Sequence, residues 1–263
     1  GGASGYPIMH ENFNSAEKTK ILNRNKLFLK KKKTIILKQI KPSFFFPYAG
    51  FFVEKLKRDQ NVNKLQKKNN ILDYSTFCKK NKINLLNAEK KDEYFFSGKK
   101  LTKSKSKSAE YFEDLRPEKY LDSYKKNFNK IDINFIKKYF ENSFFKDNLI
   151  LIISLVDDTF SNSKLDFKVD FTNDKPKFVK LENFSGKIKS FNGTKQLYIK
   201  CRLESFLNTI YNKEPWEDLS IGFQCKISRI PNEYNYKFWH YFTNNYITSK
   251  NVRFSSECNN CDK

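Results

Sequence analysis

The sequence predicts a mixed α/β fold, and three observations carry that prediction. A strand-sized apolar run, NLILIISLV at 148–156, is followed by LDFKVDF at 165–171, where Leu165, Phe167, Val169 and Phe171 alternate with polar residues. Between residues 111 and 147, aromatic and aliphatic side chains recur at helical spacing, broken at Pro117. Hydrophobic residues make up 38% and aromatics 16% of the 263 residues, enough for a sizeable core and too much for wholesale disorder.

The elements follow in order. Residues 16–29 place Ile21, Leu22, Leu27 and Phe28 among charges, which predicts an amphipathic helix. The four lysines at 30–33 read as a charged helix end or loop rather than a phosphate contact. TIILKQI (34–40) and SFFF (43–46) predict two strands bounded by Pro42 and Pro47, the second buried and ending in a tight turn. Residues 57–110 are polar and lysine-rich; INLL (83–86) and EYFF (93–96) predict a short hairpin, and KSKSKSAE (103–110) a mobile loop.

Residues 111–147 form a helical connector, and 148–250 an α+β unit with further strands at PKFVKL, GKIKSF, QLYIKCRL and LSIGFQCKISRI. SFLNTIYN (205–212) predicts a helix, and an aromatic helix is expected to start at Pro231. Residues 251–263 are a polar tail.

A formal charge of +22 invites a nucleic-acid reading. Only six of the 51 basic residues are arginine, the residue suited to forked phosphate and base recognition, and the lysine-, Asn-, Ile- and Phe-rich composition matches AT-rich coding. Solvated surface is therefore expected rather than specific nucleic-acid binding. No apolar run reaches the ~20 residues of a membrane helix, and five cysteines without a secretory signal fit a reducing, cytoplasmic setting.

Few residues can carry chemistry. His10 and His240 are the sole histidines, which excludes a three-histidine zinc site, and both read as structural. CNNC (258–261) has C-x-x-C spacing but no second pair, so it reads as a frayed tail. Asp157 and Asp158 read as a strand-ending turn rather than paired carboxylates. P-loop and G-x-S-x-G patterns do not occur.

The opening GGASGYP lacks an initiator methionine and is a glycine-rich turn with no strand before it, so the chain is expected to be the C-terminal part of a longer protein. GASGY is similar to the G-D-[TS]-G-Y turn of metallo-β-lactamase-like proteins, with Ala3 in the slot of the metal-bridging Asp. KPSFFFPYAGFF resembles that fold's late strand-turn, with Ala49 in the slot of a histidine ligand. Alanine cannot coordinate a metal.

Taken with PWEDLSIGFQCKISRIPNEYNYKFWHYF and the terminal FSSECNNC, the chain resembles the CMP-N-acetylneuraminate hydroxylase family from end to end, with residues 60–145 diverged. The W-E-D-L-x-I-G-F-Q…R-x-P-x-x-Y…F-W run at 216–239 is the most specific piece.

The resemblance implies a Rieske [2Fe–2S] domain, then a metallo-β-lactamase-like domain, then an α+β extension. Residues 1–56 would be the second half of the αββα sandwich, with the iron–sulfur ligands upstream and no cofactor bound by this chain. It also implies a CMP-sialic acid substrate and electrons from cytochrome b5 and its reductase, without membrane insertion. Ser4, Tyr6 and Tyr48 sit in the two turns expected to face the cleft, and Arg229 and Arg253 are forked donors for a carboxylate or phosphate. Arg229 equally suits an interdomain ion pair. Trp216, Trp239 and Tyr234 read as core rather than base-stacking residues. A non-catalytic scaffold on a degenerate metallo-β-lactamase fold is the alternative.

Overall fold

The computed structural model describes residues 6–47, 54–67, 69–87, 92–98, 100–105, 116–188 and 193–248. The mixed α/β class is as expected. Ala3 and Ala49, expected at the corners of a sandwich, lie outside the described residues.

Helix α1 (Ser15–Ile40) starts at a capping box, where the Asn14 side chain accepts from the Glu17 amide and Glu17 accepts from the Asn14 amide. It ends on left-handed Lys41, before Pro42. TIILKQI is therefore the last two turns of a helix and not a strand, and the tetralysine sits mid-helix. Lysine is a good helix former, and a β-rich run with no partner strand is absorbed by propagation from a capped start. Leu37 turns inward onto Tyr74, Cys78 and Ile83.

The SFFF run shortens to β1 (Phe44–Phe45), half-buried rather than buried, with Phe46 exposed. Two short helices follow, α2 (Gln60–Leu65) and α3 (Ser75–Lys80). INLL becomes β2 (Asn84–Leu85) but pairs parallel with β1. The predicted hairpin between INLL and EYFF is not formed: β3 (Asp92–Ser97) pairs instead with β4 (Lys100–Lys105), turning at Gly98 with φ +57°. Residues 103–105 are thus strand rather than loop, because alternating Lys and Ser tolerate a solvent-facing ladder.

Helix α4 (Pro117–Asn127) begins at Pro117, and α5 (Ile133–Glu141) is capped by Asp132, whose side chain accepts from the Phe135 amide. A five-stranded sheet then forms in the order β7-β6-β5-β8-β9 from β5 (Leu149–Val156), β6 (Ser163–Asp170), β7 (Lys177–Leu181), β8 (Lys195–Arg202) and β9 (Cys225–Ile230). β5 and β8 run parallel at its centre, and the other neighbours are antiparallel.

Leu149, Leu151, Ile153 and Leu155 of β5 and Leu165, Phe167 and Val169 of β6, with Leu197, Ile199, Cys201, Cys225 and Ile227, face one core. Helices α5 and α6 (Leu203–Tyr211), Trp216 and the last aromatic helix complete it. Leu165, Phe167, Val169 and Phe171 all point inward, as their alternation predicts.

Three expectations fail in this unit. Among the described residues of GKIKSF, 186–188 form no strand. LSIGFQCKISRI splits into α7 (Glu217–Ile221) and β9, because the turn at Gly222 intervenes. Pro231 lies in a turn, and α8 (Tyr236–His240) starts five residues later.

The N-terminal segment closes the sheet's edge. The Ile227 amide donates to the Met9 carbonyl and the Glu11 amide to the Ile227 carbonyl, each at 2.7 Å. The Asn12 side chain extends the pairing, accepting from the Arg229 amide at 3.0 Å and donating to its carbonyl at 2.9 Å. This strap covers what would otherwise be an exposed edge strand.

Candidate functional site

Where the strap meets β9, α7 and α8, a cavity of about 520 Å³ opens. Its volume lies within the roughly 300–1,000 Å³ typical of small-ligand sites. Tyr6 and His10 line it from the strap, Ile227 and Arg229 from β9, and Glu217, Tyr234 and Trp239 from the chain around α7 and α8.

Arg229 is 6% exposed, and its Nε donates to Asn232 Oδ1 at 3.0 Å. Burial holds its guanidinium below the usual arginine range, opposed by Tyr6 and Tyr234, and among the described residues no carboxylate pairs with it. Taking a charge out of water without a partner costs several kcal/mol. A buried guanidinium in a cavity wall, with no carboxylate partner among the described residues, has the chemistry to grip a carboxylate or phosphate with its fork.

His10 stands beside it, 6% exposed, packed edge-to-face against Tyr6 at 5.1 Å. Burial first, then the charges of Arg229 and Lys18, push its pKa down to about 4, so it is neutral at pH 7. Its Nδ1 is buried without a hydrogen-bond partner among the described residues. Opposite, the Tyr234 hydroxyl donates to Glu217 Oε1 at 3.2 Å; burial and that carboxylate push the phenol up to about 12.

Of the five residues predicted for a binding site, the structure brings Tyr6 and Arg229 to one cavity. Ser4, Tyr48 and Arg253 lie outside the described residues, as does CNNC. The core reading holds for Trp216, fully buried with its indole N–H donating to Tyr139 at 2.8 Å, and for Trp239, which also lines the cavity. It fails for Tyr234, which is 56% exposed and lines the cavity with its hydroxyl bonded to Glu217. His10, read as structural, and Glu217, not singled out in the sequence, also line this cavity. The signal for both was their neighbours, one four residues after Tyr6 and the other next to Trp216.

The other candidates resolve as structure. Asp157 closes a turn, accepting from the Thr159 and Ser161 amides and the Asn162 side chain, while Asp158 pairs with Arg58 and Lys125. Arg202, 2% exposed, donates to Asp59 at 2.7 Å and to the Asp158 carbonyl, tying residues 57–59 to the sheet. Cys201 and Cys225 are opposed on β8 and β9. Burial raises both thiols, Cys225 to about 12, so they fill core volume as neutral thiols. His240 lies on the surface of α8, stacked on Tyr236.

A Rieske-type [2Fe–2S] cluster needs two cysteines and two histidines converging on iron. Among the described residues no three His, Cys, Asp or Glu side chains converge on a metal position, and His10 and His240 stand on separate elements. These residues do not fit such a cluster. No described helix is long and apolar enough to cross a membrane.

No family model and no solved structure matches the chain. Curated relatives do, over 92% of its length. It is 26% identical over 260 residues to the human inactive cytidine monophosphate-N-acetylneuraminic acid hydroxylase, covering 50% of that protein. It is 26% identical to the hydroxylase of Sus scrofa and 24% to that of Danio rerio, covering 58% and 42% of them. The chain spans about half the length of the curated relatives it matches. The resemblance read in the sequence therefore extends over 92% of the chain.

Proposed function

We propose that this chain supplies the substrate-binding and structural part of a CMP-N-acetylneuraminate monooxygenase, which hydroxylates CMP-Neu5Ac to CMP-Neu5Gc. It is the C-terminal part of such a protein, and the oxidising centre is a Rieske [2Fe–2S] cluster on polypeptide outside it, fed by cytochrome b5 and its reductase in the cytoplasm. In that arrangement residues 1–56 belong to the metallo-β-lactamase-like frame and 148–250 to the α+β extension. Ser4, Tyr48 and Arg253 are proposed as further substrate contacts alongside Tyr6 and Arg229.

The observation that carries this reading is Arg229: a buried guanidinium without a carboxylate partner among the described residues, in a cavity that also holds Tyr6. CMP-N-acetylneuraminate brings a carboxylate and a phosphodiester, the two groups such a fork grips best. The similarity to named hydroxylases over 92% of the chain supports the choice of that anion over others.

Calorimetric titration of the purified chain with CMP-N-acetylneuraminate tests the reading. Binding is expected, weakened at least tenfold by Arg229→Gln, since charged hydrogen bonds contribute about 1.5–3 kcal/mol. No binding, or equal affinity in the variant, would contradict it. Iron–sulfur reconstitution of the same chain is expected to give no [2Fe–2S] spectrum, and a clear one would also contradict the reading.

A further inference from the structure

We infer that the outward face of helix α1 docks on an anionic lipid surface, lying along it without crossing it. The inference stands independently of the substrate-binding reading above.

The helix has 26 residues and is about 39 Å long at 1.5 Å per residue. It carries eight lysines and one arginine against a single acidic residue, Glu17. Its inner face is accounted for. Leu22 packs beside Ile8, Met9 and Val62, Leu37 packs on Tyr74, Cys78 and Ile83, and Lys26 pairs with Asp73 at 3.5 Å.

The opposite face has no such cover. Leu27 is 67%, Phe28 62% and Ile35 47% exposed. Arg24, Lys31, Lys32 and Lys38 are exposed as well, and spacings of three and four residues bring them to the same side. Among the described residues no carboxylate pairs with these four cations.

The pattern selects the partner. Lys31 stands one turn from Leu27, Phe28 and Ile35 at once. A folded protein laid over the three apolar side chains would strip water from that ammonium and leave it without a counter-charge. A bilayer interface takes both kinds of group. The apolar side chains enter the acyl boundary, while the lysine stems lie along it and raise their ammonium groups to lipid phosphates and carboxylates. A nucleic acid offers charge but no apolar layer, and one arginine on the whole helix supplies little forked phosphate recognition. Each basic side chain at an anionic surface contributes roughly fivefold in affinity, so the four act together with the apolar trio.

Flotation of the full chain with phosphatidylcholine vesicles, pure or containing about one third phosphatidylserine, tests the inference. The mixed vesicles are expected to bind, at least tenfold more tightly than the pure ones, and to release the chain as salt is raised. That comparison needs no variant. Leu27→Ser combined with Phe28→Ser should weaken binding about tenfold; both positions are exposed, so no core is disturbed. Lys31→Gln combined with Lys32→Gln should weaken it about twentyfold, two of the fivefold steps. Lys175→Gln combined with Lys177→Gln removes the same charge from exposed positions of the sheet unit and should cost less than about twofold.

No binding, or equal binding to both vesicle types, overturns the inference. A sheet-unit pair that costs as much as the α1 pair would assign the effect to the overall charge of +22 and overturn it too. So would unchanged affinity in the Leu27 and Phe28 variant. Duplex DNA bound more tightly than mixed vesicles would make a nucleic acid the partner, and a dimer dissociated by the Leu27 and Phe28 variant would make a second copy the cover. Either result overturns the lipid assignment.

Discussion

The sheet unit and the lysine-rich N-terminal half obey the same chemistry with very different margins. In the sheet unit one continuous core runs from Ile136 to Phe242, with Trp216, Phe140, Phe167, Phe171 and Phe206 fully buried. Among the described residues of the N-terminal half, the buried apolar clusters are two and small. One lies around Leu37, Tyr74, Cys78 and Ile83; the other joins Ile8, Met9 and Val62 to Phe223 of the sheet unit. Helix α1 leaves Leu27, Phe28, Ile35 and Ile40 exposed. Where burial is dense, packing selects the structure; where it is thin, local propensity and capping decide.

Point substitutions can break that comparison. Trp216→Ala should have the largest effect, about 3–5 kcal/mol, because it empties the centre of the aromatic core and leaves the Tyr139 hydroxyl without its donor. Urea unfolding of the variant measures it. Arg202→Met comes next: it leaves Asp59, which is 3% exposed, with only the longer 3.5 Å contact to Arg58, and should cost about 3 kcal/mol, the low end for a broken buried ion pair. Leu37→Ala, in a cluster small enough to collapse, should cost about 2 kcal/mol, the low end for its class. A Leu37→Ala cost equal to that of Trp216→Ala would erase the distinction between the two regions.

Acid should act on the seam between them. The folded pKa of His10 is lowered from 6.5 to about 4, so between those values the unfolded chain binds the extra proton. Stability is therefore intact above pH 6.5 and lost as pH falls towards 4, by about 2 kcal/mol at pH 5. His10→Gln should remove that share of the acid limb, and unchanged pH dependence in the variant would show that His10 is not buried neutral. The smallest effect is expected for Lys31→Ala on exposed α1, within about 0.5 kcal/mol by the same urea assay.

This contrast also explains what could be read from sequence. LDFKVDF and NLILIISLV were legible because a sheet buried on its core face imposes strict alternation on β6 and a near-continuous apolar run on central β5. TIILKQI misled because β-branched residues without a partner strand follow the helix that precedes them. The hairpin was misassigned because KLTKSK carries no hydrophobic signature, although it pairs along its whole length with β3.

In the site, Arg229 stood out by rarity among the basic residues and Tyr6 by its turn. His10 did not, because its burial depends on pairing with Ile227, more than two hundred residues away. Glu217 was hidden inside the motif that carries the family resemblance, as one of two adjacent acidic residues after Trp216.

With six arginines in the chain, side-chain Nε–H resonances can be assigned one by one. Following them during titration with CMP-N-acetylneuraminate tests the anion role of Arg229 directly. The Arg229 signal should shift and exchange more slowly as ligand saturates, while that of Arg24 on exposed α1 stays in place. An Arg229 resonance unmoved at saturation would place the anion elsewhere and contradict the account.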